Sequence, residues 1–156
     1  MLRSTNTQAL SVWPGEIPIQ NRYTLGTAGE IFFRALKDHG KLIATRCAAC
    51  EHVYVPARSF CERCFGKLTE EVEVGPKGKV VSYTLCYFDR DRQPVNPPLP
   101  LALVQLDRAT TVMLHHLLGA PEGREITIGT EVEAVIKPAE DRNGSILDIE
   151  GFRLIQ

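Results

Sequence analysis

The chain reads as a mainly β protein: one N-terminal helix, a small metal-binding ribbon and a five-stranded closed barrel. Three observations carry that reading. Four of the five cysteines form two C-x-x-C pairs, Cys47/Cys50 and Cys61/Cys64, with ten residues between them. One stretch, "TAGEIFFRALKDHG", repeats its apolar residues at helical spacing. From Leu68 onward, strand-length runs rich in Val, Ile, Leu and Tyr alternate with Gly, Pro, Asn and Asp turns. The boundaries that follow are an N-terminal extension and helix over 1–45, a ribbon over 46–67 and a barrel over 68–156.

Residues 1–25, with Pro14, Gly15 and Pro18, are expected to be irregular and extended. Thr27 and Glu30 have the T-x-x-E spacing of a capping box, and Gly40 stands where a helix-ending glycine belongs. Phe32, Ala35 and Leu36 share a stripe with Phe33 beside it, so one face seeks burial on its own domain or on a partner. "KLIATRC" is a short strand entering the first cysteine pair. Between the pairs, "HVYV", Pro56 and "SF" suit a small hairpin. "LTEEVEV" ends at the turn "GPKG", and "KVVSYTLCYF" alternates, with Val81, Tyr83, Leu85 and Tyr87 expected on the core face and Cys86 opposite as a buried thiol. "DRDRQPVNPPLP" reads as a long loop. "LALVQLD" and "TVMLHHLLG" flank a turn at Arg108–Ala109, a further turn is expected near Pro121–Ile126, and "TEVEAVIKPAE" and "SILDIEGFRLI" flank a "DRNG" turn. Such regular spacing of short strands suggests a small closed barrel.

The opening "MLRSTNTQALSVWPGEIP" lacks the apolar core of a secretory leader, and no apolar run approaches the ~18–20 residues that span a bilayer. A cytoplasmic location, off the membrane, is therefore expected, where thiols stay reduced. Two C-x-x-C pairs in a reducing compartment point to a tetrathiolate metal site at Cys47, Cys50, Cys61 and Cys64, with Cys86 outside it. Zinc is favoured over a rubredoxin-like iron, and four thiolates close the coordination sphere, so the metal is expected to be structural.

Charge then separates the function classes. Residues 1–68 carry nine Lys and Arg against five Asp and Glu, whereas residues 69–156 carry nine against fourteen. A barrel that grips a phosphate backbone should be basic, so nucleic acid is disfavoured as a partner. The basic front, including Arg46, Arg58 and Lys67, suits a small anionic ligand with phosphates. His115 and His116 are adjacent, so on a strand one packs and the other faces out, and no nucleophile–base set accompanies them. "RDRQ" and "EDRN" read as solvated turns.

"FFRALKDHGKLIATRCAACEHVYVPARSFCERC", then "GKVVSYT", "PPLPLALVQLD" and "IGTEVEAVI", resemble the acyl-CoA-associated proteins that join a rubredoxin-like zinc ribbon to an OB-fold, family thirty-five of the domains of unknown function. The resemblance covers roughly residues 28–155. Two departures stand out: many members have glycine where this chain has Glu51, and Pro-Pro-Arg where it has Pro56-Ala57-Arg58. Membership implies an OB-type barrel, structural Zn2+, and a hetero-oligomer with a thiolase-fold catalytic subunit, whose coenzyme A site this chain helps to form. The entry "RYTLGTAGEIFF" is similar to members paired with degradative thiolases, including the benzoylsuccinyl-CoA thiolase of anaerobic toluene breakdown. The helix bearing Phe32 and Phe33 and the proline-rich loop are then expected docking surfaces. Arg46, Tyr54, Arg58 and Phe60 are the expected contacts to CoA or acyl-CoA, offering cations for its phosphates and apolar surface for its pantetheine arm. The rival readings are a stand-alone acyl-CoA-binding module and a nucleic-acid-binding ribbon/OB protein.

Overall fold

The structure, a computed structural model, describes residues 23–120 and 126–155 together with Gly15 and Asn21. Helix α1, Gly26–His39, presents Ala28, Phe32 and Leu36 to the core. It ends in a left-handed Gly40 (φ 65°), whose N–H reaches the Leu36 carbonyl while that of Lys41 reaches Ala35. The expected capping box does not form. The helix begins at Gly26, which places Thr27 inside the first turn, and no side chain caps the N-terminus. Glu30 pairs with Arg34 one turn on instead. Phe32 is fully buried, and Phe33 meets it edge-to-face at 5.1 Å and packs partly against the same core. The helix therefore commits Phe32 to the chain's own core and leaves Phe33 part-exposed.

Among the described residues, eight strands form two sheets. In the first, β1 (Leu42–Arg46) lies between β2 (Val53–Tyr54) and β3 (Glu70–Val74), antiparallel to both. β3, which the sequence assigns to the barrel, thus pairs in full register with β1, from Leu42↔Val74 to Arg46↔Glu70. The second sheet is a closed barrel in the order β4 (Lys77–Phe88), β5 (Pro94–Leu106), β6 (Val112–Leu118), β8 (Ile149–Leu154), β7 (Glu131–Ile136), with β7 returning to β4. Only β6 and β8 are parallel. Gly78 sits where β4 touches both neighbours, opposite Leu106 and Val132, and a Cβ there would come within 2.4 Å of the Gln105 carbonyl oxygen. One apolar cluster runs through both sheets, from Phe32, Leu42 and Val74 to Val80, Val104, Val132 and Phe152.

The proline-rich stretch is strand, not loop. Only Asp89–Gln93 turns, organised by the Asp89 carboxylate accepting the N–H groups of Asp91 (2.9 Å) and Gln93 (2.8 Å). β6 covers β5 only from Leu101 to Gln105, so the prolines at 97, 98 and 100 lie where one side of β5 is an open edge, the place a strand tolerates them. The expected core face of β4 is also corrected. A register shift between Val80 and Ser82 puts Val80 in the core, while Val81, Leu85 and Tyr87 are exposed on a hairpin that outruns the barrel. Tyr83 packs partly against the core and Cys86 is half-buried.

The "DRNG" segment is no solvated turn. Arg142 Nη1 donates to the carbonyls of Leu36 (3.2 Å) and Lys37 (3.0 Å), closing the C-terminus of α1. Beside it the fully buried Asp148 carboxylate accepts the N–H groups of Asn143, Gly144 and Ser145, the closest at 2.7 Å. Burial pushes this carboxyl up, but those three N–H groups, with Lys137 nearby, outweigh it and hold it below its ordinary 3.8. The expected turn near Pro121 falls on 121–125, outside the described residues.

Candidate metal centre

Each cysteine pair closes a knuckle of the same construction. In the first, the Glu51 N–H returns to the Cys47 carbonyl (2.7 Å) and the Cys47 N–H to that of His52 (2.8 Å). In the second, Phe65 returns to Cys61 (2.9 Å) and Cys61 to Gly66 (2.9 Å). Both loops need a left-handed residue just after the second cysteine, and Glu51 (φ 57°) and Phe65 (φ 58°) supply it without being glycine. Glycine at position 51 would be the unstrained choice for this backbone. The hairpins close around each knuckle, through β1–β2 and a Phe60↔Lys67 bridge, rather than between the knuckles as the sequence suggests.

The four Sγ atoms of Cys47, Cys50, Cys61 and Cys64 lie within 4.8 Å of one another, with Cys47 and Cys64 3.6 Å apart. A tetrahedral ion with metal–sulfur bonds of ~2.3 Å holds its sulfurs ~3.8 Å apart, so the set fits zinc. Backbone N–H groups point at the sulfurs: Cys50 N–H at Cys47 and Arg63 N–H at Cys61, both at 3.4 Å. Cys86 stands on β4 opposite Leu99, outside the cluster.

Tyr54 belongs to this centre. It is fully buried among Cys47, Cys61 and Leu68, and its hydroxyl lies 3.2 Å from Cys61 Sγ. That contact lowers the Cys61 thiol to about 6 and raises the Tyr54 phenol to about 12. Its hydrogen bond to Cys64 and its burial drive Cys50 up to about 12. Without metal the four sulfurs resist ionising together; a bound dication reverses this, so binding expels protons.

The expected ligand contacts divide in the structure. Tyr54 offers no surface to a ligand. Arg46 is held by Glu51 (3.2 Å) and Glu70 (3.5 Å). Arg58 pairs with Glu62 (2.8 Å) and lies over the Tyr54 ring at 5.2 Å. Phe60 is 61% exposed and, with Arg58 and Lys67, lines a groove of about 220 Å³ between α1 and the ribbon. His115 is buried edge-to-face with Phe152 (6.2 Å), and the half-exposed His116 ring meets it edge-on at 5.4 Å. Burial, then His116, holds His115 below its ordinary 6.5. No helix among the described residues is long and apolar enough to cross a membrane.

The joint to the barrel went unseen in the sequence. Thr110 Oγ1 accepts from the Val53 N–H (2.9 Å) and donates to its carbonyl (3.0 Å); Thr111 Oγ1 does the same for Val55 (2.9 and 3.1 Å). His52 links Thr110 to Arg63 of the second knuckle. Threonines after a turn signal nothing distinctive on their own.

Residues 34–70 match the ChsH2 rubredoxin-like zinc ribbon domain, and residues 71–137 the ChsH2 C-terminal OB-fold domain. A DUF35 domain-containing scaffold protein of Pyrococcus furiosus is 32% identical over 126 residues, spanning 80% of this chain and 90% of the relative. One from Methanocaldococcus jannaschii is 30% identical over 106 residues, 67% of this chain and 74% of the relative. Among solved structures, a DUF35-family protein of unknown function from Sulfolobus solfataricus superposes with a TM-score of 0.62 at 28% identity, covering 83% of this chain and 84% of that one. A chain of the Ltp2-ChsH2(DUF35) aldolase does so with a TM-score of 0.59 at 25% identity, covering 85% and 98%. With a four-cysteine zinc ribbon set on a closed five-stranded OB barrel, the chain belongs to the DUF35 domain-containing scaffold protein family.

Proposed function

We propose that this chain is the non-catalytic, zinc-binding scaffold subunit of a hetero-oligomer whose thiolase-fold partner cleaves a β-ketoacyl-CoA, with benzoylsuccinyl-CoA as the first substrate to try. The observation that carries this reading is the likeness to the ChsH2(DUF35) chain of the Ltp2 aldolase, which extends over 98% of that chain. Physical chemistry supports it. A four-thiolate centre has no open position for substrate or water, so its metal holds the ribbon and leaves bond cleavage to the partner. The coenzyme A contacts of this chain are then Arg58, Phe60 and Lys67 around the ribbon groove, which meets the need for cations beside an apolar surface. Arg46 contributes from the neighbouring strand.

Co-expression with the thiolase-fold protein of the same genome tests this. The expected result is a stable complex that consumes one CoA per β-ketoacyl-CoA cleaved, while the separately purified chain is inert. Arg58→Ala should raise KM and leave zinc content and assembly intact. Turnover by the single chain, or a partner equally active without it, would remove the scaffold reading. The aldolase of the similar complex supports a second reaction, aldol cleavage. It is recognised by turnover that consumes no CoA.

A further inference from the structure

Hydrogen bonds are distributed unequally over the four sulfurs. Cys61 Sγ is fully buried and receives both the Tyr54 hydroxyl (3.2 Å) and the Arg63 N–H (3.4 Å). Cys47 is buried and receives the Cys50 N–H (3.4 Å). Cys50 is half-buried. Cys64 alone of the four is exposed, and among the described residues no N–H or O–H group reaches its sulfur. Gly66 stands beside it; a Cβ there would come within 3.3 Å of Cys64 Sγ, so the glycine leaves that side of the sulfur open.

Two factors govern how fast a metal-bound thiolate attacks an electrophile. One is the charge left on sulfur after its hydrogen bonds have drawn on it; the other is a clear approach. Both place Cys61 last; Cys50 and Cys64 alike receive no N–H or O–H among the described residues, and exposure then puts Cys64 first. We propose that Cys64 is the site at which soft alkylating electrophiles modify the zinc-loaded ribbon, and that Tyr54 protects Cys61 through its hydroxyl. The Cys64 sulfur forms a bond to the electrophilic carbon as the carbon–halogen bond breaks and halide departs with the electron pair. The resulting thioether is neutral, so it holds a dication less strongly and the closed coordination shell opens there.

The zinc-loaded full chain, treated with iodoacetamide to well under one adduct per molecule, tests this. Trypsin cleaves after Arg46, Arg58, Arg63 and Lys67, so Cys61 leaves on residues 59–63, Cys64 on 64–67, and Cys47 and Cys50 together on 47–58. Cys86, on residues 80–90, gives a metal-independent reference. The first adduct should fall on Cys64, about tenfold ahead of Cys61, given the strength of a hydrogen bond to a charged group. Zinc release, followed with a chelating dye, should track that adduct. Tyr54→Phe should raise the Cys61 rate about tenfold and leave the Cys64 rate unchanged. Labelling that starts at Cys61, or on residues 47–58 that carry Cys47 and Cys50, would overturn the proposal, as would a Tyr54→Phe chain in which all four rates rise alike. Should Tyr54→Phe fail to load metal, the order in the unmodified chain decides alone.

Discussion

Replacing Asp148 by Asn should destabilise the fold strongly at neutral pH and hardly at all in acid. The carboxylate is fully buried and accepts three backbone N–H groups; Oδ2 takes all three, from Gly144 (2.7 Å), Asn143 (3.1 Å) and Ser145 (3.2 Å), and Oδ1 shares that of Asn143 (3.1 Å). An amide keeps one acceptor oxygen for all three donors, but a neutral one, and turns its NH2 toward the Asn143 N–H. A hydrogen bond to a charged group is worth about 1.5–3 kcal/mol against about 0.5–1.5 kcal/mol for a neutral one, so three bonds weakened together should cost about 2–4 kcal/mol at pH 7. The sign of the pH dependence follows from the depressed pKa. A carboxyl held below its ordinary 3.8 in the fold contributes stability that is complete above that value and fades as pH falls through the folded-state value. Urea unfolding of the protein and of Asp148→Asn, compared at each pH from 7 to 3 so that loss of zinc in acid is common to both, measures this. The two curves should converge in acid as the native carboxyl takes up its proton. A difference that stays constant across that range would refute the argument, because it would show that the charge is irrelevant and that shape alone matters.

Elemental analysis should find one zinc per chain. Cys50→Ser should lose it and Cys86→Ser should keep it, since Cys86 lies outside the cluster. Glu51→Gly should raise stability by about 0.5–1 kcal/mol, because relief of left-handed strain exceeds the exposed pair with Arg46, and thermal unfolding reads the gain. Gly78→Ala should cost about 3 kcal/mol, the upper end for overpacking, because the Gln105 and Leu106 backbone it would strike belongs to a paired strand; Tm falls accordingly by about 6–12 °C. His115 adds a milder acid sensitivity. Its folded pKa lies below 6.5, so its contribution is present above that value and declines below it, a slope that His115→Phe should flatten in the same urea series.

The parts of this molecule that follow from local rules were legible in the residues. Cysteine spacing identified the metal set, and alternation with turn residues found most strands. Gly40 marked the end of the helix because only a residue without Cβ is at ease at φ 65°. What escaped depends on partners distant in sequence. β3 resembles the strands that follow it, yet register with β1 decides its sheet. Pro97, Pro98 and Pro100 look like loop until one knows that β6 stops at Leu101 and leaves that edge open. Tyr54 has the composition of a ligand contact, and only the fold turns its hydroxyl to Cys61. Arg142 reads as an ordinary turn residue, because the carbonyls it caps are 105 and 106 positions away.

The threonine pair at the joint has a consequence for aggregation. β2 is two residues long and lies at the edge of its sheet, where unpaired N–H and C=O groups would recruit a strand from another molecule. Thr110 and Thr111 occupy those groups as a neighbouring strand would, and they are anchored in the barrel, not in the knuckles. The opposite edge, β3, bears Glu70, Glu71 and Glu73, charged side chains that disfavour pairing with a second copy. Stripping the zinc loosens the knuckles but leaves both guards in place. A chain that has lost its metal should therefore lose its hold on a partner well before it begins to precipitate.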